Sequence, residues 1–249
     1  MVETGGNIDS PRAGARLLAG FVAAYALFQF AANAFVSDRG QAGILIALLV
    51  VAALILVEVS LFATSLRAAP RILGLGIPAS TGMAAATFLG AALFALIPAF
   101  AFLSQIKLAM MSGWALMLPG LFAQAGIAEE TLFRGYLFGR LRRGRKFWSA
   151  AFLSSLPFTM AHMVLFLVLP WPLALASVLL AVATSFPLAH LFVIGGNTIW
   201  APAVLHFVVQ GGLKIVSVPE AQASTLALIW FGGAALLPYL AFLVPRPHE

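Results

Sequence analysis

The sequence predicts an all-α polytopic membrane protein, a helical bundle of about eight transmembrane spans with both termini cytoplasmic. Three observations predict it. Hydrophobic residues make up 62% of the 249 residues and charged residues 9%, against roughly 45–50% and about 25% in a soluble domain. Mean hydropathy is +1.04. The apolar residues fall into eight runs of near-membrane length, joined by short turns that carry Pro or Gly. With 14 Lys and Arg and 8 Asp and Glu, the chain cannot cover a soluble globule with polar surface. Its apolar surface faces membrane lipid, which excludes a soluble enzyme, a disordered chain and a nucleic-acid binder.

Residues 1–11 are polar and read as a disordered N-terminal tail, leaving 12–249 as a single transmembrane domain. The runs lie at about 17–36, 42–63, 82–104, 109–140, 147–168, 171–193, 198–217 and 223–244, most of them close to the ~20 residues that cross a hydrocarbon core. The first run contains the A-x-A triplet Ala32-Asn33-Ala34. It is longer than the apolar region of a signal peptide, and Glu3 and Asp9 stand where basic residues belong, so it reads as a span. The fourth run would reach about 48 Å as one helix, against a core of about 30 Å. Pro119 is therefore expected to start the working helix, which emerges near Arg140.

Orientation rests on Lys and Arg, which collect in cytoplasmic loops. The segment 140–146 holds five cations in seven residues, namely Arg140, Arg142, Arg143, Arg145 and Lys146, and reads as a solvated cytoplasmic loop. With eight spans this puts Arg12, Arg16, Arg67, Arg71 and Arg246 inside, and leaves Arg39, Lys107 and Lys214 outside. Trp148, Trp171 and Trp200 fall near span ends, where aromatic anchors sit. The chain has no cysteine, which removes disulfides, thiolate nucleophiles and Cys-ligated metals.

Ionisable side chains inside a membrane cost about 2.5–3.5 kcal/mol each and mark function. Glu58 stands alone near the inner end of the second run, and His190, just before a turn, reads as a hydrogen-bonded or interfacial histidine. The stretch Ala128-Glu129-Glu130-Thr131-Leu132-Phe133-Arg134 is different. Glu130 and Arg134 are i,i+4 and meet on one helix face, whereas Glu129 is turned about 100° away. A structural ion pair needs one glutamate; the second is a charge that packing does not explain. His162, with Phe158 one turn earlier, and His206, with Gln210 one turn later, sit in the fifth and seventh runs. Depths of roughly 15, 21 and 9–13 Å from the inner ends put Glu129, His162 and His206 within reach of one another. A carboxylate that takes a proton from water, two imidazoles and an amide form a hydrolytic set. GxSxG and HExxH motifs are absent.

At these residues the sequence resembles the CAAX-protease and bacteriocin-processing (CPBP, Abi) family of intramembrane endopeptidases. The motif E-E-x-x-x-R corresponds to Glu129, Glu130 and Arg134, F-x-x-x-H to Phe158 and His162, and H-x-x-x-N to His206 with Gln210 in place of Asn. The resemblance covers about residues 115–215. It implies peptide-bond hydrolysis by a glutamate-activated water near the membrane surface, with Glu129, His162, His206 and Gln210 catalytic and Glu130, Arg134 and Phe158 supporting. It implies a cavity open toward the cytoplasm. Separately, the Ala-, Gly- and Arg-rich usage points to a bacterial plasma membrane. Family members have been described as metalloproteases; Glu129, His162 and His206 would also suit Zn²⁺, but a metal-free reaction is preferred, with no cofactor. The peptide or protein substrate is not readable. The alternatives are a catalytically weak member acting as a membrane scaffold or immunity factor, and an ion-coupled transporter, for which the internal repeats are missing.

Overall fold

The computed structural model describes residues 11–35 and 41–247; the polar tail before Pro11 and the expected outer cation Arg39 lie outside them. The long helices are α1 (Pro11–Ala34), α2 (Gln41–Phe62) and, after the short α3 (Ala69–Ile72), α4 (Ser80–Leu103). A two-residue strand β1 (Ala109–Met110) leads into a central helix. That helix is built from α5 (Trp114–Leu121), π-helical turns over Phe122–Glu129 and Thr131–Phe138, and α6 (Gly139–Leu141). Then come α7 (Phe147–His162), continued as a 3₁₀ turn Met163–Leu167, α8 (Trp171–Ile194) and α9 (Trp200–Gly211). Strand β2 (Val216–Ser217) pairs antiparallel with β1, and α10 (Glu220–Leu236) runs into the 3₁₀ segment Leu237–Leu243.

Among the described residues six helices are long and apolar enough to cross a membrane. The other two expected spans are not of that kind, for physical reasons. The central helix carries Glu129, Glu130, Arg134 and Arg140. The run 198–217 stops being α-helical at Gly211, turns through 3₁₀ geometry at Gly212–Ile215 and ends as β2. Large side chains that face outward on the long helices, such as Phe30, Leu56, Phe88 and Leu179, are exposed, as lipid contact requires.

Pro119 does not start the central helix. It lies inside α5, which begins at Trp114; a proline this early removes one backbone hydrogen bond and leaves the rest of the ladder in place. The helix does end near Arg140, as its length suggested. Its ladder widens to π geometry around the two glutamates, a winding often found at functional sites. Two close approaches set its position. A Cβ on Gly135 would lie 2.1 Å from the Leu73 carbonyl oxygen, and one on Gly43 would lie 2.1 Å from the Gly120 carbonyl oxygen. Only glycine lets the 73–76 turn and α2 pack this tightly on the central helix.

Arg140 is not a solvated loop cation, and Glu58 is not alone. Both are buried. Arg140 Nε donates to Glu58 Oε1 at 2.7 Å, and Arg140 Nη2 pairs with Glu58 Oε2. The Thr64 hydroxyl also donates to that carboxylate, at 3.1 Å, and the guanidinium lies over the Phe62 ring at 3.4 Å. The remaining cations of the segment stay at the surface. Burial, then the nearby Arg140 charge, holds the Arg143 guanidinium below its ordinary value, and it remains a cation at neutral pH.

Candidate active site

The structure brings Glu129, His162, His206 and Gln210 to one cavity of about 520 Å³ between α1, the central helix, α7, α8, α9 and α10. Glu129 and Glu130 sit at the junction of the two π-helical turns, and both are buried. Arg134 Nη1 donates to Glu130 Oε1 at 2.9 Å, the i,i+4 contact expected from spacing. Glu129 lines the cavity, and Glu130 does not.

His206 bridges the two carboxylates. Its Nδ1 donates to Glu130 Oε1 at 2.6 Å, and its Nε2 lies 3.8 Å from Glu129 Oε2. The first contact places the proton of the neutral ring on Nδ1 and turns the Nε2 lone pair toward Glu129. The 3.8 Å gap is too long for a direct hydrogen bond, and a water set beside it reaches both atoms. Gln210 comes in from the next turn of α9, its Nε2 donating to Glu129 Oε1 at 3.4 Å. Its Oε1 accepts from Lys214 Nζ at 3.3 Å, which fixes the amide with its N–H side toward the carboxylate.

His162 is in the cavity wall but is not hydrogen-bonded to the glutamates among the described residues. Its Nδ1 donates to the Phe158 carbonyl at 2.8 Å, which leaves Nε2 for the cavity. Phe158 holds the set together from below. The Arg134 guanidinium lies 4.2 Å from its ring centroid, and the rings of His162 and His206 meet it at 4.7 and 5.9 Å. Phe158 thus offers one aromatic face to a cation and to both imidazoles, a cation–π and edge contact.

Residues 111–211 match the family model described as type II CAAX prenyl endopeptidase Rce1-like. Over that segment, about two fifths of the chain, the protein is similar to the CAAX protease family. No curated protein matches the chain. Every residue of the expected set, Glu129, Glu130, Arg134, Phe158, His162, His206 and Gln210, falls inside the CAAX protease segment.

Among the described residues no three His, Cys, Asp or Glu side chains are grouped so as to hold a metal ion. The set Glu129, His162 and His206 does not form a zinc site in this arrangement.

Six polar residues of the cavity were not expected there from the sequence: Tyr25, Gln29, Gln124, Ser177, Thr184 and Lys214. Gln29 Nε2 donates to the Tyr25 hydroxyl at 2.5 Å, and that hydroxyl donates to the Ala161 carbonyl at 3.3 Å, next to His162. A signal for the first two was present: Tyr25 and Gln29 are i,i+4 in an otherwise apolar helix and share one face. Helix α1 lies outside the family segment and still builds one wall of the cavity.

Outside this cavity, His190 is buried, and its Nε2 donates to the Val244 carbonyl at 3.0 Å. It is the hydrogen-bonded histidine that its position suggested.

Proposed function

We propose that the protein is an intramembrane endopeptidase that hydrolyses a peptide bond near the membrane surface with a water activated by Glu129. One observation carries this reading: a carboxylate, two imidazoles and an oriented amide converge on a single cavity in the segment that matches the CAAX protease family. The charge is divided as such a reaction needs. Arg134 and His206 engage Glu130, and Glu129 is left to act as base.

The water sits between Glu129 Oε2 and His206 Nε2. Glu129 takes one of its protons while Nε2 accepts a hydrogen bond from the other and orients the oxygen lone pair. The hydroxide adds to the substrate carbonyl carbon, and the negative charge passes to the carbonyl oxygen. The second N–H of the Gln210 amide is the donor available to that oxyanion, and His162, whose Nδ1 donates to the Phe158 carbonyl, presents Nε2 to the cavity as an acceptor. Glu129 then returns the proton to the amide nitrogen, the C–N bond breaks, and an acid and an amine leave. Glu130 keeps His206 in the required tautomer and does not touch the reacting atoms. The basic residues favour a plasma membrane orientation with the 140–146 loop and both termini in the cytoplasm.

The test is a comparison of whole membrane proteomes from cells carrying the wild-type chain and Glu129→Gln. A precursor that accumulates only with the variant supports hydrolysis and identifies the substrate. Identical proteomes, with both proteins expressed equally, favour the scaffold reading and overturn this one.

A further inference from the structure

Two sequence expectations, a cytoplasmic basic loop and a cavity open toward the cytoplasm, do not fit together in this fold. The basic end of the bundle is defined by contacts. Arg142 Nη1 donates to Asn197 Oδ1 at 3.2 Å, Arg140 holds Glu58, and the Arg246 guanidinium lies over Phe147 at 4.1 Å. The Tyr136 hydroxyl reaches the Leu17 carbonyl near the start of α1. These contacts gather the first turns of α1, the end of α2, the 142–146 loop, the 195–199 turn and the C-terminal segment at one end.

The cavity mouth is at the other end. Its exposed lining residues include Val164, Val168, Leu169 and Lys214. The first three follow α7, whose membrane-length stretch Phe147–Leu167 starts at the basic loop and runs about 30 Å away from it. Lys214 stands beside the β1–β2 pair, where Met111 N–H donates to the Ile215 carbonyl. On α1 the cavity takes Gln29 and Ala32, from the half far from Arg12 and Arg16. Of the 14 Lys and Arg, the mouth end holds Lys107 and Lys214 among the described residues, whereas the first turns of α1, the 67–71 turn, the 140–146 segment and Arg246 carry most of the rest. At about 1 kcal/mol of attraction per cation to an anionic inner leaflet, this asymmetry sets a single orientation.

We infer that the catalytic cavity opens on the non-cytoplasmic face, and that its substrates are peptide segments of exported or membrane-inserted chains presented from that face. The inference rests on the proposed hydrolytic function for the word substrate, and on geometry and charge alone for the face. A lysine beside Gln210 at an otherwise apolar mouth suits segments with an anionic group near the scissile bond.

The chain's lack of cysteine makes the test direct. Single-cysteine variants Lys214→Cys at the mouth, Glu220→Cys beside it and Arg145→Cys in the basic loop are expressed in bacterial spheroplasts. They are treated with a membrane-impermeant maleimide before and after permeabilisation. The inference expects Lys214→Cys and Glu220→Cys to react in intact spheroplasts and Arg145→Cys only after permeabilisation. The reverse pattern, or labelling of all three in intact spheroplasts, overturns it. Labelling of Glu220→Cys with Lys214→Cys protected in both conditions also overturns it, because the mouth is then closed. A second arm adds an internally quenched farnesylated CAAX peptide to right-side-out and inverted vesicles. Cleavage lost in Glu129→Gln and confined to right-side-out vesicles supports the inference, and cleavage confined to inverted vesicles overturns it. If neither orientation cleaves this peptide, the result counts against the hydrolytic reading with this class of substrate, and the labelling arm still decides the face.

Discussion

His206 Nδ1 lies 2.6 Å from Glu130 Oε1, on the same oxygen that receives Arg134 Nη1 at 2.9 Å. Glu130 is therefore shared between a cation that neutralises it and an imidazole that it orients. Glu129, one residue earlier, has a longer contact to Gln210 and faces the cavity. The two adjacent glutamates have different physical jobs.

Substitution should separate those jobs. Glu129→Gln keeps size and hydrogen bonding but cannot take a proton from water; it should abolish cleavage and leave thermal unfolding in detergent nearly unchanged. Glu130→Ala leaves Arg134 buried without its counter-ion, and breaking such a pair costs about 3–5 kcal/mol. It should lower the unfolding temperature as well as activity. If Glu129→Gln cleaves normally while Glu130→Gln is stable and dead, the assignment is reversed.

Gln210 should be needed for its amide. Gln210→Asn keeps the amide that the family pattern carries and should retain measurable cleavage. Gln210→Leu leaves the buried carboxylate and its water without a polar partner, a loss of about 1–3 kcal/mol, and should reduce kcat by one to two orders of magnitude. Wild-type kcat in Gln210→Leu would remove the amide from the mechanism.

The Glu58–Arg140 pair should matter for stability and not for chemistry. Arg140→Ala strands Glu58 and should destabilise the bundle by about 3–5 kcal/mol. Removing both charges together, as Glu58→Leu with Arg140→Met, should recover most of that loss, because replacing a buried pair by apolar side chains is often neutral. Thermal unfolding of the three proteins reads the difference. A double variant as unstable as Arg140→Ala would show that the pair does more than balance charge.

Gly135 should not tolerate a side chain. Gly135→Ala sets a Cβ against the Leu73 backbone and should cost about 1–3 kcal/mol through overpacking. Gly232→Ala, where nothing lies within 4 Å, should be neutral or slightly stabilising, since alanine favours a helix interior over glycine by about 1 kcal/mol. Equal unfolding temperatures for the two variants would show that the Leu73 turn yields to the extra atom.

Much of this molecule was legible in advance because its signals are local. Apolar run length marks helices α1, α2, α4, α7, α8 and α10, and i,i+4 spacing places Arg134 on Glu130 and Gln210 one turn from His206. The π winding around Glu129 was not legible, since a 3.6-residue period was the natural assumption for an apolar helix. Glu58 was visible as an anomaly without its explanation, because its partner stands 82 residues away in a segment that reads as a loop.

Local properties of the chain fix its place in a membrane, its six membrane-length helices, the clustering of its cations, and Glu129 as a charge without a partner one turn away. Each follows from transfer free energy or helical period, properties of a short stretch of chain. Tertiary structure alone decided that His206 joins Glu130, 76 residues away, that Gln210 reaches Glu129, 81 residues away, that α1 walls the cavity, and that the cavity opens opposite the basic loop. A buried polar group must be paired, but the amino-acid order does not say with which; that depends on how distant helices pack, and packing is a property of the whole bundle.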